Sequence, residues 1–293
     1  MPADHPAACR PVMAACLLLG AAWAAAQPAP QAAETPSPAQ ALALVDRALG
    51  NELRAAGDCT HPMRYVLHKT SSRLVTSKDI IESKDGAVAR LISLNDQPLS
   101  AADQQNEQTR LDALLGDPEI QRRRKQAEDA DTGKALKVLR VLPQAFLYEY
   151  AGSEQSPAGK REKFTFKPNP EFSPPDLETG ILTEMTGALW IDPASERVVR
   201  LEGQLQQDVA FGWGILGRLY KGGWIKIEQA NVSGGQWRTV RFQMSMSGRA
   251  FWRTRVFDTT EEESQFAPVP VGLSYAQAIA MLRGDAAAAG ASR

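Results

Sequence analysis

The spacing of apolar positions changes several times along the chain. Between Ser37 and Gly57 it is helical: Leu42, Val45, Leu49 and Leu53 recur on one face of a 3.6-residue period. Ser37-Pro38-Ala39-Gln40 supplies a cap, a proline at the first helical position and a Gln three residues after the Ser, and Gly57 can end the element. From Met63 the period drops to two. Met63, Tyr65 and Leu67 alternate with Arg64 and His68, and a second run extends from Arg73 to Ser83. Asp85-Gly86 is a hairpin signal, beyond which Val88, Ile92 and Leu94 continue with Arg90 breaking the apolar face. Residues 99–143 lose the alternation. Ser100 and Asp117 can cap helices, Pro118 suits a first helical residue, and Leu111, Leu114 and Leu115, then Leu136, Leu139 and Leu142, form apolar stripes. This block reads as a helical insertion lying over a sheet. Its basic run Arg122-Arg123-Arg124-Lys125 is answered by Glu128, Asp129 and Asp131, as on a solvated helix face.

Alternation resumes with Phe146, Tyr148 and Tyr150, then Phe164 and Phe166. The proline-rich stretch 168–175 suits neither a helix nor a central strand. Five segments follow: Leu189-Trp190-Ile191 before the turn 192–195; Val199, Leu201 and Leu205; Trp224 to Glu228 after Gly222-Gly223; Val240, Phe242, Met244 and Met246; and Phe251 to Phe257. Ser274-Tyr275-Ala276-Gln277 starts a last short helix ending near Gly284. Successive alternating strands joined by short turns make an antiparallel meander, and one this long must curl or close to manage its edges. The expected fold is mainly antiparallel β (α+β), a curved sheet covered by the N-terminal helix and the helical insertion. Residues 37–284 form a single domain and 285–293 a disordered tail.

Composition adds an address. Lys and Arg number 33 against 34 Asp and Glu, so no global charge draws the chain to nucleic acid. Arg10, the apolar run from Val12 to Trp23 and Ala24-Ala25-Ala26 occur in the order of a secretory signal peptide, with cleavage expected after Ala26. The apolar run falls short of the roughly 20 residues of a spanning helix. Met13-Ala14-Ala15-Cys16 is lipoprotein-box-like, but almost no apolar stretch precedes it. A Pro/Ala-rich linker, 27–36, leads into the domain. Cleavage removes Cys9 and Cys16 and leaves Cys59 as the sole thiol, read as a small buried hydrophobe rather than a reactive group. The expected location is the periplasm.

The search for chemistry yields no catalytic residue, no metal and no cofactor. Cys59, His61 and His68 lack a completing ligand pair, and no Gly-x-Ser-x-Gly elbow accompanies the two histidines. Gly212-Trp213-Gly214-Ile215-Leu216-Gly217 matches a dinucleotide fingerprint in letters, without the βαβ unit that fingerprint needs. Its composition matters more. Phe211, Trp213, Ile215, Leu216 and Tyr220 crowd a connection, where apolar groups either fold onto the core or face lipid as a gate. Arg218 and Lys221 follow immediately, placed for anionic headgroups. Arg241, Arg253 and Arg255, expected on strand faces opposite the apolar ones, are either ordinary solvated polarity or contacts for a headgroup or an acidic partner.

Leu189-Trp190-Ile191-Asp192-Pro193 followed by Val198-Val199-Arg200-Leu201-Glu202, with Tyr220-Lys221-Gly222-Gly223, the strand from Trp237, and Arg253-Thr254-Arg255-Val256 before Thr259-Thr260, resembles outer-membrane lipoprotein-sorting proteins of the LolA/LolB-like carrier superfamily. The resemblance spans Gly187 to Phe266 and implies a half-open β-barrel closed over by helices, whose apolar concavity holds acyl chains. It implies an exported, non-enzymatic, monomeric carrier or acceptor for lipid acyl chains or a lipoprotein, in transient contact with a membrane surface. The alternative is a cell-envelope structural or interaction module with the same barrel filled by its own side chains.

Overall fold

The computed structural model describes residues 37–211, 217–233, 235–250 and 253–284. The stretches expected to be signal peptide, linker and tail (1–26, 27–36 and 285–293) lie outside the described residues.

Helix α1, Pro38–Ala56, begins with the capping box expected of Ser37 and Gln40 and stops at Gly57. Its buried stripe is Ala41, Leu44, Val45, Ala48 and Leu49, whereas Leu42 is 43% exposed. The face is rotated from the one the large side chains suggest, because two alanines let the helix backbone approach its neighbours closely. The insertion is two helices, α2 (Ala101–Gly116) and α3 (Pro118–Ala145), capped by Ser100 and Asp117. Side chains pin both to the sheet. Glu107 accepts from the Leu91 amide at 2.8 Å while Arg110 holds the same carboxylate and donates to the Ala89 carbonyl. Gln121 donates to the Asp85 carbonyl at 2.7 Å, and Glu128 accepts from the Ala87 amide at 2.9 Å. Such side-chain bonds satisfy turn and edge groups that a strand partner does not reach.

Among the described residues thirteen strands form one sheet, antiparallel throughout. In chain order they are β1 (Met63–Ser71), β2 (Val75–Ile81), β3 (Val88–Leu94), β4 (Gln97–Pro98), β5 (Phe146–Ser156), β6 (Gly159–Pro168), β7 (Met185–Asp192), β8 (Arg197–Leu205), β9 (Val209–Phe211), β10 (Gly217–Leu219), β11 (Trp224–Ser233), β12 (Gln236–Ala250) and β13 (Arg253–Pro268). Their order is β4-β3-β2-β1-β13-β12-β11-β8-β7-β6-β5, with the β9–β10 hairpin attached to the far end of β12. The meander is therefore two meanders joined where the first strand pairs with the last, leaving β4 and β5 as edges of a half-open, curved sheet. The expected turn at Asp85-Gly86 is present, with Gly86 at φ 96°. Strand β13 runs well past Phe257. Its second half, Asp258 to Ser264, has no apolar alternation and is held by its place between β12 and β1, with Lys69–Glu261 (2.6 Å) and Arg241–Glu262 (3.2 Å) as cross-strand ion pairs.

Two cores result. α1, the end of α3 and the inner faces of β5 to β8 bury Phe146, Phe164, Phe166, Leu189 and Ile191 with Met246. A smaller core joins Ile81, Val88, Leu111 and Leu114 to Val269, Leu273 and the last helix α5, Tyr275–Arg283.

Candidate functional site

Register determines which side chains share the concave face, since directly paired residues project to the same side. One row across six strands reads Leu189, Leu201, Ile227, Phe242, Glu261 and Lys69. The next reads Gly187, Gly203, Ile225, Met244, Thr259 and Ser71. Where α1 and α3 cross these rows they roof a cavity of about 590 Å³. Leu49 and Ala55 of α1, Val138, Leu139 and Leu142 of α3, and Phe146, Phe166, Met185, Leu201, Ile225, Ile227 and Met246 of the sheet form its apolar wall. Beyond the roof the same face continues as an open groove of about 920 Å³, where Phe242, Met244, Val256 and Phe257 lie among Lys69, Arg73, Arg253 and Arg255. The two concavities share a wall, because Ile225 and Ile227 of the first are the strand partners of Met244 and Phe242 of the second.

The covered cavity is polar at one end. Glu52, on the α1 stripe, is buried and accepts from Arg197 Nε (2.8 Å) and Nη2 (3.0 Å), the Val198 amide (3.0 Å) and Gln229 Nε2 (2.9 Å). Arg197 lies over the Trp237 ring at 5.8 Å, and Arg238 and Thr239 complete that end. Nearby, burial raises the Glu82 carboxyl above its usual range, and burial together with Glu261 and Glu82 pushes Glu263 up to about 7.

The residues singled out by sequence are distributed differently. Trp213, Ile215 and Leu216 lie outside the described residues, and of Phe211 only the backbone is described, as the end of β9. Their flanks are not a plain connection but the hairpin β9–β10, anchored by buried Val209 and half-buried Leu219 against the main core. Tyr220 is half-buried just after it. Arg218 is exposed and 3.4 Å from Asp208, whose carboxylate also accepts from the Lys221 amide at 2.9 Å. Register brings Arg218 beside Arg249, and β12 separates this hairpin from Arg253 and Arg255 by a single strand. Arg253 and Arg255 share the parity of Phe257 and line the groove with it, so they do not oppose the apolar face as expected. Arg241 is remote from them and paired to Glu262. Cys59 is exposed, not buried, because it sits after the end of α1 in the turn that precedes β1. His61 contacts Asp58 at 2.8 Å and His68 contacts Ser77 at 3.0 Å.

Sequence reasoning missed Glu52, Arg197 and Gln229. The available signal was Glu52 itself, an acid standing at helical spacing on an apolar stripe, which requires a buried partner.

No family model and no curated protein matches the chain. Two solved structures are similar in outline. An outer membrane lipoprotein-sorting protein domain from Vibrio parahaemolyticus aligns at 9% identity and TM-score 0.32, covering 79% of this chain and 94% of its own. A DUF1329 family protein from Desulfovibrio piger aligns at 12% identity and TM-score 0.29, covering 79% and 95%. Similarity at this level assigns neither a ligand nor a role to any residue here. Among the described residues no helix is long and apolar enough to cross a membrane.

Proposed function

We propose that the protein is an exported, non-enzymatic carrier or acceptor that holds acyl chains, of a lipid or a lipidated protein, in the cavity under α1 and α3. The lining of that cavity carries the reading, since walls of Leu, Ile, Phe and Met offer water few partners over most of their extent. An acyl chain gains about 0.8 kcal/mol for each methylene it withdraws from water. Export rests on the order of Arg10, the apolar run and Ala24-Ala25-Ala26, and implies a periplasmic site of action. The greasy segment Phe211 to Leu216 with Tyr220, next to Arg218 and Lys221, is the proposed element of membrane contact, with Arg253 and Arg255 at the adjoining end of the groove; Arg241, neutralised by Glu262, is peripheral to it.

Mass spectrometry of exported protein purified without detergent tests this. The polypeptide should begin at Gln27, and its organic extract should contain acyl lipid in near-stoichiometric amount. Ile225→Trp, which fills the cavity, should empty the extract while preserving the fold. A lipid-free wild type that neither takes up nor exchanges a fluorescent fatty acid defeats the proposal.

A further inference from the structure

Strand β13 outruns the strand beside it. Its pairing with β12 continues to Arg253, opposite Ala250, but its pairing with β1 stops at Thr259, opposite Ser71, where the chain turns away into β2. From Arg253 to Asp258 the other edge of β13 therefore has no strand partner among the described residues. Alternate residues there present N–H and C=O groups that only water or an added chain can satisfy. The stretch is exposed throughout, Val256 at 64% and Phe257 at 48%. Arg253, Arg255 and Phe257 share the groove face with Phe242 and Met244, and Thr254 and Val256 alternate with them. Charge there is unbalanced. Lys69, Arg73, Arg253 and Arg255 line the groove against two acids, Asp258 and Glu261, and Lys69 already holds Glu261 at 2.6 Å. Among the described residues no carboxylate comes within ion-pair distance of Arg73, Arg253 or Arg255.

We propose that this edge is the docking site for an extended segment of a partner protein, one that alternates acidic and apolar side chains and adds to β13 as a further strand. In this mode main-chain hydrogen bonds to the open edge supply affinity, and side chains at alternate positions supply selectivity. Paired residues project to the same side. Acids opposite Arg253 and Arg255 thus meet them on the groove face, while the apolar residues between lie beside Val256 on the other. Length is bounded by Arg253 at the start of β13 and by Ser71 at the end of β1, a span of about 20 Å at roughly 3.3 Å per residue. A second copy of this chain is disfavoured. Antiparallel pairing of the edge with itself would crowd the arginines of both copies onto one short stretch of the same face, where like charges repel. The site makes no use of the covered cavity, so it stands or falls apart from acyl-chain binding. The bilayer contact proposed above draws on the same two arginine side chains but not on the backbone edge, and the experiment separates the two.

The probe is a short synthetic peptide alternating glutamate and valine, titrated into the exported chain. It should bind tenfold or more tighter than its lysine–valine counterpart, and amide hydrogen exchange should slow over Arg253 to Asp258. Two forms of the glutamate peptide, N-methylated on one or the other set of alternate residues, keep its charge and each lose the donors of one edge. One of them should bind severalfold more weakly than the other. Replacing Arg253 and Arg255 together by Ser should cost the glutamate peptide at least tenfold at an unchanged melting temperature; should that variant not fold, the wild-type comparisons decide. Equal affinity for the two charges overturns the proposal. Binding without slowed exchange at the edge, or with both methylated forms alike, overturns it equally, since the arginines would then attract acids without a strand being added. Binding to phosphatidylglycerol vesicles with none to the glutamate peptide assigns the arginines to the bilayer alone and overturns it too.

Discussion

Glu263 shows how a single buried carboxyl couples stability to pH. It projects from β13 beside Glu261 and Glu82, with the Arg238 guanidinium acting against their repulsion, and its pKa in the folded chain is about 7. In the unfolded chain it titrates near 4.5. The folded state thus holds the proton more tightly, so ionisation destabilises it progressively as pH rises from about 4.5 to 7. Glu263→Gln should match the wild type at pH 4 and exceed it at pH 8 by on the order of 2 kcal/mol, allowing for partial solvent screening. Urea titrations at the two pH values read the difference, and equal midpoints at pH 8 would contradict the burial argument. Nothing in the local sequence Glu261-Glu262-Glu263 distinguishes these acids. Glu262 finds Arg241 and Glu261 finds Lys69, while Glu263 is left to its neighbours, a distinction that exists only once β13 lies between β12 and β1.

At the scale of elements, two glycines face each other on β7 and β8, where the backbones leave no room for a side chain. A Cβ on Gly187 would lie 1.9 Å from the Glu202 carbonyl oxygen, so the strands themselves would have to part. One on Gly203 would meet the Met185 sulfur at 2.7 Å, at the flexible end of a side chain that can move aside. Gly187→Ala should therefore cost about 3 kcal/mol or more and Gly203→Ala about 1 kcal/mol, in the overpacking range. Comparable losses in chemical denaturation would show that the backbone approach at Gly187 is no tighter a constraint than the Met185 contact at Gly203. The alternating strands around these glycines, the caps at Ser37, Ser100 and Asp117 and the Asp85-Gly86 turn were all legible, because each depends on residues within a few positions of one another. The true stripe of α1 was not: Ala41 and Ala48 are silent in a pattern of large apolar side chains, and their value lies in what packs against them. The acidic half of β13 was missed for the opposite reason, since its strand form is imposed by two partners distant in sequence.

For the molecule as a whole, the cavity was beyond reach of any local pattern. Its walls draw on positions from Leu49 to Met246, brought together by register across the sheet and by two helices from different parts of the chain. A contiguous greasy segment, Phe211 to Leu216, is what a sequence can display, and membrane contact is the property it argues for. Charge decides how strong that contact should be. The whole chain is nearly neutral, 33 cations against 34 anions, so attraction to an anionic bilayer must arise from local asymmetry. Arg218 and Arg249 on one face, and Arg253 and Arg255 on the other, supply it at the end of the sheet where β10, β12 and β13 pair. Each basic residue held near such a surface contributes about 1 kcal/mol, and screening at high salt removes most of that. A variant retaining Trp213 as its only tryptophan should shift its emission to the blue with phosphatidylglycerol vesicles at low salt. The shift should shrink severalfold either in 1 M NaCl or with zwitterionic phosphatidylcholine vesicles. Replacing Arg253 and Arg255 together by Ser should weaken vesicle binding about tenfold, without altering fatty-acid uptake into the separate covered cavity. Emission indifferent to vesicles of either kind would remove the segment from the membrane and leave its aromatic side chains a packing role.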